Sequence, residues 1–240
     1  MTEPFPIRSG TFVLPTPGKL AEAGLDLKLV GQPGDNAPAP LMQSWRKRVA
    51  SIQEFRGAVA WDNGRRPAFR QVDGTLRDSD PVDAVSWHIL IIRAGGRILG
   101  CVRYAPLEAL GEHSHVRRAA PVAATSLLQD MKATDRDVLE GGRLIVASEA
   151  RNQGFAAILL AAGTLLARNI NRRLIWGTAG NRQDQERIFR RLGYARYGST
   201  TFAAPKFDDE LSLVYQQTTS LPPNVAAAID EFFPPPQTLP

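Results

Sequence analysis

The sequence predicts an α/β (α+β) fold, one mixed central sheet with helices on both faces. Three observations predict it. Two β-rich runs, Ser86 to Arg93 and Arg97 to Tyr104, flank Ala94-Gly95-Gly96, whose glycines tolerate the positive φ of a hairpin turn. A strand-like run from Val138 to Ala147 leads through a short polar turn into an apolar helical stretch, Gln153 to Arg168. Strand, helix and strand signals then alternate to the end of the domain. Hairpin strands followed by β-α-β-α-β describe a sheet with parallel and antiparallel neighbours.

The elements follow in order. Pro4, Pro6, Pro15, Pro17, Pro33, Pro38 and Pro40 forbid long helices and predict an extended arm over residues 1–40. Leu41, Met42, Trp45, Val49, Ile52 and Phe55 recur at helical spacing, so residues 41–56 read as an amphipathic helix. Asp62-Asn63-Gly64 marks a turn, and acids gather from Asp73 to Asp83 before the hairpin. A helix is expected from Val122 to Met131 and strands from Val138 to Ala147 and Arg173 to Thr178. Asn181 then caps a helix ending at Gly193, and Glu210 to Tyr215 alternates like a last strand. Pro222-Pro223, an apolar stretch from Asn224 to Phe233 and Pro234-Pro235-Pro236 predict a tail with one short helix. The organisation expected is an arm at 1–40, a domain at 41–217 and a tail at 218–240.

Composition narrows the function. Hydrophobic residues at 43% and charged ones at 22% are ordinary for a folded protein and exclude disorder throughout. The net charge is +5, and 24 of the 29 basic residues are Arg. Guanidinium forks grip phosphate and carboxylate, so nucleic acid, a phosphorylated cofactor and an acidic protein all fit. No helix-turn-helix or aromatic platform supports nucleic acid. Cys101 is the one cysteine, which excludes an intrachain disulfide framework and a cysteine-based zinc cluster. Met1 to Lys19 lacks the apolar stretch of a secretory signal. The apolar run Phe155 to Ala167 falls short of the roughly 20 residues of a membrane span. A cytoplasmic protein is expected.

The most informative segment runs from Leu144 to Ala156. A buried strand ends, a polar turn follows, and a helix opens at Gly154. The first N–H groups of that helix lack internal partners and its dipole is positive there, which suits a pyrophosphate or phosphopantetheine phosphate. Gly154 lets backbone approach the ligand, and small Ala156 keeps the wall low. An ordinary β-turn-α connection reads the same way. Neither G-x-x-x-x-G-K-[ST] nor a strand followed by G-x-G-x-x-G is present, against a P-loop or a Rossmann site. His113-x-His115 lacks a third ligand at suitable spacing, so no metal is expected. His88 reads as a core or cleft histidine and Cys101 as a small buried side chain. Arg172-Arg173 and Arg190-Arg191 are solvated faces or a dock for an acidic carrier protein.

Arg151-x-x-Gly154-x-Ala156, after a strand and opening a helix, resembles the [QR]-x-x-G-x-[GA] acyl-CoA motif of the GNAT superfamily of N-acyltransferases. Asn181, followed by a basic helix ending Arg191-Leu192-Gly193-Tyr194, resembles that superfamily's N…LGF segment. The order of elements agrees from about residue 41 to 216. The resemblance implies a GNAT-like, mostly antiparallel sheet splayed at the acyl-donor site beside the strand at 138–147. It implies pantetheine bonded to the backbone of Leu144, Ile145 and Val146, and a donor site completed by Arg151, Asn152, Gln153, Gly154, Phe155, Ala156 and Asn181. Acyl-CoA, or acyl-phosphopantetheine on acyl carrier protein, is then a co-substrate, with no permanently bound cofactor. Transfer to the amine proceeds by direct attack.

A narrower pattern lies upstream. Asp80-Pro81-Val82-Asp83, Gly100-Cys101-Val102-Arg103 and Glu140-Gly141-Gly142-Arg143 resemble the D-x-x-D, G-C-x-R and E-x-x-R elements of acyl-homoserine-lactone synthases and long-chain N-acyl amino acid synthases. Phe55 and Trp61 are similar to the same families' F…W element. Glu140 is the candidate base that frees the attacking amine of a proton. Arg103 and Arg143 orient Glu140, pair with Asp80 and Asp83, or clamp an acceptor's carboxylate. Glu140 and Arg143 share a face only through a bulge, for which Gly141-Gly142 is the expected place. A purely structural ion-pair network is the alternative. The sequence departs from many GNAT acetyltransferases in having Phe189 where a tyrosine protonates the leaving thiolate. Tyr194 and Tyr197 lie nearby.

The resulting expectation is an N-acyltransferase moving a fatty acyl group from carrier protein or CoA to a small-molecule amine, that of an amino acid. The alternatives are an acetyl-CoA-dependent N-acetyltransferase and an inactive acyl-thioester-binding module.

Overall fold

The structure, a computed structural model, describes residues 16–34, 36–64, 68–182 and 185–233. Its strands are β1 (Leu25–Val30), β2 (Trp87–Arg93), β3 (Ile98–Pro106), β4 (Val138–Val146), β5 (Leu174–Gly180), β6 (Ala195–Ala204) and β7 (Asp209–Gln217). They form one open sheet in the order β1-β2-β3-β4-β5-β7-β6. Only β4 and β5 run parallel; every other neighbouring pair is antiparallel. The helices are α1 (Gly18–Glu22), α2 (Ala39–Asp62), α3 (Leu107–Leu110), α4 (His115–Ala119), α5 (Pro121–Asp130), α6 (Phe155–Asn169), α7 (Gln185–Arg191) and α8 (Pro223–Phe232).

Strand alternation sorts the core onto two faces. Ile89, Ile91, Leu99, Val102, Tyr104, Leu139 and Ile175 pack with α6 and with Leu20, Phe189, Val225 and Ile229 from α1, α7 and α8. On the opposite face, Leu90, Ile92 and Cys101 meet Ile52 of α2. Ala105, Val138, Leu174 and Trp176 there meet Leu107, Val116 and Leu127 of α3, α4 and α5. The hairpin takes its turn at Gly95 and Gly96, both with φ +86°.

Two strands depart from the sequence reading. Leu25–Val30, inside the expected arm, is the edge strand β1, with Leu25 and Leu27 in the core. Prolines flank this short run and do not interrupt it, so the sheet begins before residue 41. Residues 1–15 and 234–240 of the expected arm and tail lie outside the described residues. β6 at the other edge is mostly exposed and polar and lacks a clear alternation. The tail helix packs its Val225, Ile229 and Phe233 into the main core.

Two irregularities in β4 shape the site. It pairs with β5 only at Val138↔Leu174, Leu139↔Ile175 and Glu140↔Trp176, after which the strands part. On its other edge the register moves from Arg103↔Gly142 to Cys101↔Ile145, so Arg143 and Leu144 together face Val102. This bulge lies one step beyond the expected Gly141-Gly142. Its Arg143 has φ +57°, a conformation costly for a residue with a Cβ, and one that tertiary contacts must hold.

The helix expected at 41–56 continues to Asp62, and the extension has a purpose. A Cβ at Gly57 would lie 2.4 Å from the backbone nitrogen of Arg77. The segment after Leu76 is thus pressed against α2, and the Asp78 amide donates to the Gln53 carbonyl at 3.0 Å. Glycine inside a helix normally costs about 1 kcal/mol relative to alanine. Here Gly57→Ala is expected to destabilise instead, by about 1–3 kcal/mol through overpacking against backbone. A shift of the urea-unfolding midpoint to lower concentration checks this.

Candidate active site

A buried ion cluster underlies the site. Asp78, Asp80 and Asp83 approach from the segment before β2, Arg56 from α2, Arg103 from β3 and Arg143 from the β4 bulge. Arg56 donates to both carboxylate oxygens of Asp83 at 2.9 and 2.6 Å and to the Asp78 carbonyl at 2.6 Å. Arg103 lies 2.9 Å from Asp83 and 3.1 Å from Asp80. Arg143 donates from Nε to Asp78 at 2.6 Å and from Nη2 to Asp80 at 2.7 Å. Lys206 reaches Asp78 at 2.6 Å from the turn before β7. Though burial opposes ionisation, the surrounding cations hold all three aspartates below the usual carboxylate range. Of the three roles open to Arg103 and Arg143 in sequence, the structure has them pairing with acids. Neither hydrogen-bonds Glu140, so the expectation that they orient it is corrected. Arg56 and Asp78, absent from the sequence reading, are central.

Glu140 sits at the last paired position before β4 and β5 part. Its carboxylate accepts from Ser114 Oγ at 2.6 Å, the His115 amide at 2.7 Å and Trp176 Nε1 at 3.0 Å. An ionised carboxylate offers about four acceptor positions, so three bonds leave one for a further donor. Burial pushes its pKa up, and the three hydrogen bonds only partly oppose this. A carboxylate held this way is a stronger base than an exposed one.

The parted strands enclose a cavity lined by Glu140 through Ile145 of β4, Trp176 through Thr178 of β5, and Arg103, Tyr104, Phe189 and Tyr194. It shares Leu144, Ile145, Gln185 and Phe207 with a groove that runs to the polar turn ahead of α6. Val146, Arg151, Asn152, Gly154, Phe155 and Ala156 line that groove, together with Arg191. Gly154 has φ +79°, and a Cβ there would meet nothing within 4 Å. Among the described residues no side chain caps α6, and its first internal bond runs from the Ile158 amide to the Gly154 carbonyl. The amides of Phe155, Ala156 and Ala157 therefore have no partner within the helix and open on the groove. Arg151 hydrogen-bonds Asn63.

Two expected donor-site residues lie elsewhere. Gln153 does not line the groove and donates to the Glu149 carbonyl. Asn181 accepts from Ser212 Oγ at 3.3 Å and lines neither hollow, and α7 is described from Gln185 onward. Residues 183–184, where the cap would fall, lie outside the described residues. Gln185 lines both hollows instead, its side chain accepting from the Gly180 amide at 3.1 Å.

A third hollow opens on the α4 side, lined by Asp80, His113, His115, Arg118, Arg143, Lys206 and Phe207. His88 is buried beside the Asp83 carbonyl and is no cleft base; its pKa is pushed down to about 4, as is that of His115. Cys101 is buried and its thiol is pushed up to about 12. Tyr197 donates to Asp130 on the exterior. Tyr194 faces the cavity beside Tyr104, and among the described residues neither hydroxyl makes a well-formed hydrogen bond. Arg172 and Arg173 are not free for an acidic carrier, being paired with Glu108 and Asp137. No group of three or more potential metal ligands gathers among the described residues.

Comparison with known proteins agrees with this geometry. Residues 63–161 match the acetyltransferase (GNAT) domain family. No curated protein matches the chain. The fold is similar to that of BjaI, a CoA-dependent acyl-homoserine lactone synthase solved with SAM and isopentyl-CoA. Identity is 13%, coverage 79% of this chain and 83% of that one, and the TM-score 0.58. TofI, solved in a ternary complex with an inhibitor and MTA, is 20% identical over 86% of this chain and 96% of its own, with a TM-score of 0.54. An acyl-CoA N-acyltransferase from Pseudomonas aeruginosa is 16% identical, covering 80% and 99%, at 0.50. Likeness at these identities is likeness of fold.

The titrating groups predict a two-stage loss of stability on acidification. His88 and His115 have folded pKa values near 4, below the ordinary value near 6.5. Their contribution is complete above pH 6.5 and is lost as the pH falls to 4. At about 1.4 kcal/mol per unit, the fully buried His88 accounts for up to about 3 kcal/mol. The depressed aspartates contribute above about pH 4 and lose that below it. Glu140, whose pKa is raised by burial, acts in the opposite sense. Urea midpoints at pH 7, 5.5 and 4 should fall steadily, with a flatter fall in His88→Gln.

Proposed function

We propose that the chain, whose residues 63–161 match the acetyltransferase (GNAT) domain family, is an acyltransferase that moves a fatty acyl group from a CoA or carrier-protein thioester to the amine of an amino acid. The observation that carries this reading is the continuous path from the open α6 N-terminus, along the unpaired edge of β4, to Glu140. A thioester whose phosphates meet the amides of residues 155–157 would lay its pantetheine along Leu144 to Val146 and its carbonyl near the point where the strands part.

The chemistry then needs four things. The attacking amine must be neutral, and Glu140, directly or through a water, takes the ammonium proton. Nitrogen adds to the thioester carbon, and β4 amides offer hydrogen bonds to the oxyanion. Collapse breaks the C–S bond, and the nitrogen passes its second proton to water or to the departing thiolate as the amide forms. The sulfur leaves as thiolate, which its ordinary pKa of about 8.5 makes feasible without a strong acid. Phe189 in place of a tyrosine is consistent with that.

The third hollow supports a carboxylate-bearing acceptor. Arg118, Arg143 and Lys206 line it against a single carboxylate, Asp80, already paired with Arg103 and Arg143. The cluster itself holds Arg56, Arg103, Arg143 and Lys206 against three aspartates, leaving a positive excess. Such a field favours an amino acid carboxylate and disfavours a sulfonium such as that of SAM, the ligand of BjaI.

Incubation with acetyl-, decanoyl- and palmitoyl-CoA and an amino acid mixture, read by thiol release and product mass, tests this. Turnover of decanoyl- or palmitoyl-CoA with an amino acid is expected; thiol release with acetyl-CoA alone would remove the fatty acyl assignment. Glu140→Gln is expected to lower kcat by about 10²–10⁴ while thioester binding persists. Unchanged turnover would remove Glu140 as the base.

A further inference from the structure

The donor groove, the cavity at the parted strands and the α4-side hollow have one wall in common. Phe207 lines all three. Arg143 and His115 belong to the cavity and the α4-side hollow, and Leu144 and Gln185 to the cavity and the groove. Among the described residues, only at Phe207 do the groove and the α4-side hollow share a residue.

The ring is held from several sides. The Arg143 guanidinium carbon lies 4.8 Å from its centroid and the Phe69 ring 5.7 Å away. The short turn Pro205–Phe207, between β6 and β7, is anchored on both flanks. Lys206 reaches the buried Asp78 at 2.6 Å, and Arg182 bonds Asp208 at 2.6 Å and Asp209 at 2.9 Å. Asp208 adopts φ +48°, an uncommon conformation that these contacts secure. A turn tied to a buried carboxylate is a poor candidate for idle surface.

We propose that Phe207 is a positioning residue, the partition that separates the acyl donor from the acceptor hollow, seated by the Lys206–Asp78 ion pair. This rests on the acyltransfer reading above. A thioester at the parted strands can be attacked by an amine or by water, the second giving a free acid and a thiol. An apolar ring between the hollows limits access to the reacting carbon to what the acceptor hollow presents, and keeps bulk water out. Arg143 stacks the ring against the bulge, so the partition sits directly on the β4 edge.

The test compares wild type, Phe207→Ala and Phe207→Leu with decanoyl-CoA, measuring thiol release without amine and amide formation with an amino acid mixture. Phe207→Ala is expected to raise the ratio of hydrolysis to transfer about tenfold at saturating decanoyl-CoA, and Phe207→Leu to return it most of the way to the wild-type ratio. Lys206→Met is expected to fall between them. An unaltered ratio in folded Phe207→Ala overturns the partition. Should wild type form no amide with any amine, the acyltransfer reading fails separately. Hydrolysis in Phe207→Ala against wild type still decides the partition, since an equal rate overturns it.

Discussion

The buried pairing of Asp78, Asp80 and Asp83 with Arg56, Arg103 and Arg143 is the constraint on which the rest depends. Removing ions from water is expensive, and breaking one partner from a buried pair typically costs about 3–5 kcal/mol. The cluster survives because each guanidinium meets carboxylate geometry and Arg56 meets Asp83 with both nitrogens. In exchange it ties α2, the segment before β2, β3 and β4 at one point. Gly57 and the Gln53 carbonyl bring Asp78 within reach of α2, so backbone contacts and charge act on the same joint.

The consequence for β4 is local and decisive. Arg143 occupies a left-handed conformation in a bulge, and its side chain is pinned by Asp78 and Asp80. A bulge bends its strand and strengthens the twist. Beyond Glu140 the strand leaves β5, and its edge on that side no longer pairs with β5. The same sheet therefore carries a groove toward α6 on one face and a cation-lined hollow toward α4 on the other, which share Phe207, while Glu140 lines the cavity between them. The Arg-rich composition acquires specific meanings: some guanidiniums build the joint, some pair at the periphery, and Arg118 and Arg191 face hollows.

How much of this was legible in the sequence follows from which interactions are local. β2, β3, β4, β5 and β7 announce themselves because one or both faces are buried, and α6 because it is apolar nearly all round. β1 and β6 are edge strands with half their surface in solvent, and flanking Pro or polar residues mask them. Asp80, Asp83, Arg103, Glu140 and Arg143 were visible through their resemblance to the D-x-x-D, G-C-x-R and E-x-x-R elements. Arg56 and Asp78 were not, because a charged residue on an amphipathic helix reads as surface until a distant segment docks on it. The partners of Glu140 escaped for the same reason: Ser114, the His115 amide and Trp176 come from α4, its cap and β5. The Asn181 Oδ1 accepts from Ser212 of β7, a tertiary bond that local sequence does not announce.

The central claim is that the bulged, unpaired edge of β4 and the open end of α6 together receive a thioester. Hydrogen exchange of the full chain, with and without decanoyl-CoA, tests it most directly. The account predicts protection in the segment from Arg143 to Ile158, with the amides of residues 144–146 and 155–157 slowed on binding. Binding without protection there, or protection confined to the α4-side hollow, would contradict it.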